Sequence, residues 1–166
     1  MKNIVLIGMP GAGKSTVGVV LAKTLGMAFI DTDLLIQENE KRLLSDIISR
    51  DGLEGFLRIE EQTALSCLPV NAVIATGGSM VYSARAMNHF RDQAVIIYMK
   101  LDFQTISSRI SNITTRGIAM RADQSLKDIY RERQPLYESY ADSTLYCNGK
   151  SLEEIVETIQ SLLQYK

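Results

Sequence analysis

The sequence predicts an α/β fold: a parallel sheet of five strands with helices on both faces. Two observations lead to it. Five short apolar segments, at residues 4–7, 27–31, 72–76, 94–99 and 144–147, alternate with stretches of helical spacing, the pattern of strands joined by helical crossovers. The first of them, Ile4-Val5-Leu6-Ile7, also runs straight into Gly8-Met9-Pro10-Gly11-Ala12-Gly13-Lys14-Ser15, a G-x-x-x-x-G-K-[ST] turn between a strand and a helix.

That turn is the phosphate-binding P-loop. Its glycines let successive backbone N–H groups curl around an anion, and the following helix adds the positive end of its dipole. Gly11, Ala12, Gly13, Lys14, Ser15 and Thr16 are therefore expected to hold ATP. Lys14 reaches the β- and γ-phosphates, and Ser15 offers its hydroxyl to Mg²⁺. The helix keeps its apolar spacing to Leu25 and stops at Gly26.

The second strand ends in Asp31-Thr32-Asp33, and the spacing places both carboxylates on one side of an extended chain. A helix is expected from Leu34. Ser45 caps a short helix stopped at Asp51-Gly52, and a long helix covers residues 53–68, ended by Pro69. The third strand runs into Gly77-Gly78-Ser79. Ser83 caps a helix to Phe90, and Asp102 starts another after strand four. Residues 111–123 are polar with few apolar anchors, and a stretch of that length inside a compact domain is more often a functional lid than a connector. Ser125 caps a helix carrying Pro135, and Ser151-Leu152-Glu153-Glu154 is a capping box for the last helix.

The whole chain of 166 residues reads as one domain, with residues of about 34–60 as an acceptor-binding segment and about 111–123 as the lid. A formal net charge of −1 leaves no global basic field to hold nucleic acid or an anionic membrane. No apolar run approaches the roughly 18 residues that span a bilayer, and the first strand leaves no room for a cleavable signal. Cys67 and Cys147 match no metal spacing and are expected to be buried thiols in the cytoplasm. His89, the single histidine, is expected on the surface.

Ligands in open α/β sheets bind beyond the carboxyl ends of the strands, where the P-loop, the two aspartates and Gly77-Gly78 meet. Phosphoryl transfer to an alcohol needs these parts: a cradle and Lys14 for ATP, Ser15 and Asp31 for Mg²⁺, and Asp33 to orient the hydroxyl and take its proton. Arg109, Arg116, Arg121, Lys127, Arg131 and Arg133 cluster in sequence around the lid. An arginine there can neutralise transition-state charge, a contribution of about 10³-fold or more. Arg116 is the candidate.

With P-loop, Asp31-Thr32-Asp33, Thr76-Gly77-Gly78 and Arg133-Gln134-Pro135-Leu136-Tyr137 in view, the chain resembles the shikimate kinases over nearly its whole length. The resemblance implies the nucleoside-monophosphate-kinase-like fold with strand order 2-3-1-4-5. It also implies transfer of the ATP γ-phosphate to a hydroxyl of shikimate or a related hydroxy acid in amino-acid biosynthesis. A monomer is expected, though the sequence does not set the oligomeric state. By motif, Asp33 grips the acceptor hydroxyls, Gly77 and Gly78 face the acceptor, and Arg133 binds its carboxylate. Arg109 lies against adenine, and Asn148 falls in the adenine-side loop.

Three departures bear on the acceptor. The family's Phe-Arg-x-x-Glu reads Phe56-Leu57-Arg58-Ile59-Glu60 here, so Leu57 holds the arginine position and Arg58 points about 100° away around the helix. The third glycine is Ser79. The lid Arg-Pro-Leu-Leu is Arg116-Gly117-Ile118-Ala119. Losing a charged hydrogen bond to a carboxylate costs about 1.5–3 kcal/mol, and Glu60 without an arginine is expected to be an unpaired anion. An acceptor with an ammonium opposite Glu60, such as homoserine, is thus an alternative to shikimate. A nucleotide-binding module that no longer transfers phosphate is another. A GTPase would need Asn-Lys-x-Asp and Asp-x-x-Gly, both missing, and gluconate or nucleotide kinases match fewer of the motifs.

Overall fold

The computed structural model describes residues 2–67, 69–111 and 117–164. Five parallel strands, β1 (Asn3–Ile7), β2 (Ala28–Asp31), β3 (Ala72–Ala75), β4 (Ala94–Lys100) and β5 (Ser143–Tyr146), form one sheet in the order 2-3-1-4-5. In register, Val5 sits between Ile74 of β3 and Ile96 of β4. β1 and β3 are buried throughout, as strands covered on both faces must be, which is why they read as unbroken apolar runs.

Seven α-helices and a short 3-10 helix at Met80–Tyr82 complete the described chain: α1 (Lys14–Leu25), α2 (Thr32–Glu40), α3 (Leu44–Ser66), α4 (Ala84–Gln93), α5 (Phe103–Ser111), α6 (Leu126–Tyr140) and α7 (Leu152–Gln164). The step from β1 to β2 runs in the opposite sense to every later step. Right-handed crossovers therefore put α1 on one face, where it meets α7, and α3, α4 and α6 on the other. Every β-strand thus delivers its carboxyl end to one edge, where the P-loop begins.

Local chemistry sets the boundaries. Ser83 accepts from the Ala86 N–H to cap α4, Ser125 and Asp128 form a reciprocal capping box on α6, and Ser151 and Glu154 do the same for α7. The short and long helices expected around Asp51-Gly52 run on as α3, broken at Gly52, whose φ of 71° and ψ of 177° no helix can hold.

Three expectations need correction. Ser45 caps no helix: α3 starts one residue earlier, at Leu44 after Leu43, and no side chain caps it. α2 begins at Thr32, not Leu34, because Asp31 Oδ1 accepts from the N–H groups of Asp33 and Leu34 and turns the chain at once. Asp33 therefore sits in the first turn of a helix and not on extended chain. The segment 111–123 is less bare of anchors than its composition suggests. Ile118 and Met120 pack on the main core, and Ala119 is buried in a second apolar cluster with Ile36, Ile47 and Phe56. That cluster joins the end of the expected lid to α2 and α3. Residues 112–116, including Arg116, lie outside the described residues.

Cys67 and Cys147 are free and buried, as expected. No helix is long and apolar enough to cross a membrane among the described residues.

Candidate active site

A cavity of about 290 Å³ opens at the carboxyl edge of the sheet, walled on one side by Gly11, Gly13, Lys14, Ser15 and Thr16. Gly13, at φ 90°, precedes α1 and no side chain caps this helix. The N–H groups of its first turn are left for an anion, as the sequence requires of a phosphate cradle. The Lys14 ammonium is buried and donates to the carbonyls of Gly8 and Met9, each at 2.8 Å. Burial lowers its pKa to about 8, against the opposing pull of Asp33 and Asp31. A phosphate dianion at this wall would restore the full charge. Ala12 is buried behind the loop.

Ser15 donates its hydroxyl to Asp31 Oδ2 at 2.6 Å. One carboxylate thus does two jobs, capping α2 with one oxygen and meeting Ser15 with the other. A hydroxyl and a carboxylate oxygen beside a phosphate cradle are the hard donors that Mg²⁺ takes, with phosphate and water filling its other positions. The pair fits that ion.

The opposite wall is built by Asp33, Glu60, Gly77, Gly78 and Arg133. Backbone comes close here because side chains are missing. A Cβ on Gly77 would collide with Asp33 Oδ1 and Glu60 Oε1, and one on Gly78 would stand 2.6 Å from Pro10 Cδ and 3.1 Å from Arg133 Nη1. Arg133 is 1% exposed yet remains a charge with partners. It donates from Nε to Tyr82 Oη at 3.1 Å and from Nη2 to the Ala119 carbonyl, and it lies over the Tyr82 ring. Tyr137, one turn along α6, donates to the Gly78 carbonyl at 2.6 Å and stacks on Tyr98.

Glu60 departs from expectation. Ser79 donates to its Oε2 at 2.7 Å, so the residue in the third-glycine position supplies a partner in place of an arginine. Burial raises the Glu60 pKa to about 8, and nearby Asp33 adds to the rise against Ser79, Arg133 and Lys14. The carboxyl expected to stand alone therefore has one hydrogen-bonded oxygen, Oε2, while Oε1 has no partner among the described residues.

The structure gathers Lys14, Ser15, Asp33, Glu60, Gly77, Gly78 and Arg133 around one space, with Asp31 just behind Ser15. It does not bring Leu57 there: the side chain is not among those lining the cavity and packs against the second apolar cluster of Ile36, Ile47, Phe56 and Ala119. Arg58 points into a separate surface groove with Asn39 and Gln62, as its helical position required. Arg109 donates to the Gly11 carbonyl at 3.1 Å and so lies on the outer side of the P-loop. Asn148 uses its amide to tie the loop after β5 to Asp102 and Thr105 at the start of α5. Arg121 is exposed and paired with Asp123. Tyr82 and Ala119 carry no signal in the sequence. Ser79 stands out only as a departure at the third-glycine position, and Tyr137 only as the end of the Arg133 motif, four residues on and so on the same helix face.

The sequence model of the shikimate kinases matches residues 10–164. The chain belongs to the shikimate kinase family. It is 35% identical over 162 residues to the shikimate kinase of Caldanaerobacter subterraneus subsp. tengcongensis, covering 96% of this chain and 94% of that one. To the shikimate kinase of Francisella tularensis subsp. novicida it is 34% identical over 167 residues, covering 98% and 94%. Among solved structures, the shikimate kinase from Acinetobacter baumannii in complex with shikimate superposes with a TM-score of 0.91 at 27% identity, covering 99% of this chain and 94% of that one. Membership makes the chain an ATP-dependent phosphotransferase that acts on a hydroxyl group, the chemistry that the two walls of the cavity suit.

Proposed function

We propose that this chain transfers the γ-phosphate of ATP to a ring hydroxyl of shikimate. The observation that carries this reading is that Lys14, Asp33 and Arg133 line one cavity: a phosphate cation, a carboxylate and a buried carboxylate-binding arginine. Asp33 orients the acceptor hydroxyl and takes its proton as the bond to phosphorus forms. Lys14 and the N–H groups of α1 balance charge on the phosphate oxygens, and Arg133 holds the acceptor carboxylate so that the hydroxyl faces the donor. Ser15 and Asp31 are the residues to hold Mg²⁺, which would neutralise phosphate charge when bound.

Arg109 and Asn148 belong to the adenine side of this reading, and Arg116 to the closing lid. Leu57 acts by omission, leaving Arg133 as the cation for the acceptor carboxylate. A monomer is part of this reading, and two buried free thiols support a cytoplasmic enzyme. Homoserine is not favoured, since the family model and the relatives matched over nearly the whole chain are shikimate kinases.

Steady-state kinetics with ATP and shikimate test the assignment. Asp33→Asn is expected to lower kcat by about 10²-fold or more while the ATP KM changes little, since a general base contributes about 10²–10⁴-fold. An Asp33→Asn enzyme with unaltered kcat would remove Asp33 from the mechanism.

A further inference from the structure

Tyr82 is not among the residues that line the acceptor cavity, yet it holds the arginine that does. It ends the short 3-10 helix that follows Gly77-Gly78-Ser79, so the turn that presents the two glycines also presents this ring. Its oxygen accepts from Arg133 Nε at 3.1 Å, and its own proton goes to Glu132 Oε1 at 2.6 Å. Glu132 and Arg133 are neighbours on α6, about 100° apart around the helix, the first exposed and the second buried. The half-buried phenol therefore bridges a buried cation to a carboxylate that faces solvent. Gln124 Nε2 donates to the other Glu132 oxygen at 3.1 Å, so both oxygens are engaged. Burial and Glu132 hold the Tyr82 phenol above its ordinary pKa, against the pull of Arg133, and it keeps its proton. A guanidinium carries its N–H donors in one fixed plane. Tyr82 pins that plane at Nε and the Ala119 carbonyl pins it at Nη2, which fixes Nη1 over Gly78 on the cavity wall. Among the described residues the cavity is lined by two cations, Lys14 and Arg133, and Lys14 serves the phosphate.

We propose that Tyr82 is a positioning residue for acceptor binding: by holding Arg133 at Nε, it sets the direction in which Nη1 meets the acceptor carboxylate. This deepens the reading of the cavity as the acceptor site and rests on it. A phenol suits the task. It accepts from Nε without neutralising the cation, whereas a carboxylate placed there would form a charge-assisted pair and compete with the acceptor. Glu132 acts at one remove. By taking the phenol proton it leaves the lone pairs of the Tyr82 oxygen to Nε. With leucine at 57 and Arg58 facing the other groove, α3 supplies no second arginine to correct a misplaced one, so the aim of Arg133 decides acceptor affinity.

The test uses the full chain with saturating ATP and Mg²⁺ and shikimate as the varied acceptor. Tyr82→Phe keeps the ring beside the guanidinium and removes only the oxygen. Glu132→Ala, on the exposed face of α6, leaves the phenol in place and frees its proton to turn. For Tyr82→Phe the shikimate KM is expected to rise about tenfold, the worth of one hydrogen bond to a charged group. Both kcat and the ATP KM should stay within about twofold. Glu132→Ala should raise the shikimate KM by a smaller factor, about threefold, since the Tyr82 oxygen remains. Lysine has no Nε–H to hold, so Tyr82→Phe added to Arg133→Lys should lower kcat/KM for shikimate no further than Arg133→Lys alone. A shikimate KM within twofold of the unaltered enzyme in both single variants would overturn the inference and leave the kinase reading standing. So would a loss confined to kcat, or penalties that add in full with Arg133→Lys. No phosphorylated shikimate from the unaltered enzyme would overturn both.

Discussion

Asp31 meets Ser15 with one carboxylate oxygen, at 2.6 Å, and caps α2 with the other. The helix that carries Asp33 is therefore started by the same side chain that would sit beside the metal. Asp31→Asn keeps a capping oxygen but loses the charge. It is expected to hold its melting temperature while needing several-fold more Mg²⁺ for half-maximal rate. Asp31→Ala loses both functions and should also be destabilised by about 1 kcal/mol. Magnesium titrations of the rate, paired with thermal melts, separate the two.

Gly77 tests the acceptor wall. A methyl group there would push into the carboxyl groups of Asp33 and Glu60. Gly77→Ala is expected to lower kcat/KM for shikimate by about 10²-fold, in line with the cost of misplacing a reacting group by about 1 Å. Its affinity for ATP, measured by calorimetry, should change by less than about twofold, since one pK-scale step of 1.4 kcal/mol is already tenfold.

Gly117 tests the contact between the expected lid and the acceptor segment. A Cβ there would stand 3.0 Å from the Ser45 backbone and 3.1 Å from Ile48 Cδ1. Backbone cannot yield as a side-chain tip does. Gly117→Ala should raise the shikimate KM several-fold with little change in kcat, read from initial rates.

Stability should depend on pH through Glu60. Burial raises its pKa from 4.5 to about 8 in the folded chain, so the folded state binds the proton more tightly than the unfolded one. That contribution is complete below the ordinary carboxylate value and is lost as pH rises through about 8. Lys14 is lowered to about 8 and acts in the other window, adding stability only from about pH 8 upward. The melting temperature of the unaltered chain should fall from pH 5 to pH 8 relative to Glu60→Gln. Parallel curves would show that Glu60 stays ionised.

Much of this was legible in the residues. Runs such as Ile4–Ile7 and the caps at Ser83, Ser125 and Ser151 depend on near neighbours, and they fixed the strands, the helix starts and the P-loop wall. The acceptor wall was less legible because its contacts cross the chain. Ser79 and Glu60 are 19 residues apart, Arg133 and Tyr82 are 51, and Tyr137 and Gly78 are 59. The rotation of α3 after the break at Gly52 turns Glu60 into the cavity and Leu57 against the second apolar cluster, which spacing alone does not set. Ala119 looked like part of a loose polar stretch because the cluster that buries it comes from α2 and α3.

The most direct measurement of the central claim is product identity: phosphorus NMR of ATP, Mg²⁺ and shikimate incubated with the unaltered chain and with Lys14→Ala. The account predicts a phosphorylated shikimate in one-to-one amount with ADP, absent with Lys14→Ala. ATP bound or hydrolysed with no phosphate on shikimate would contradict it.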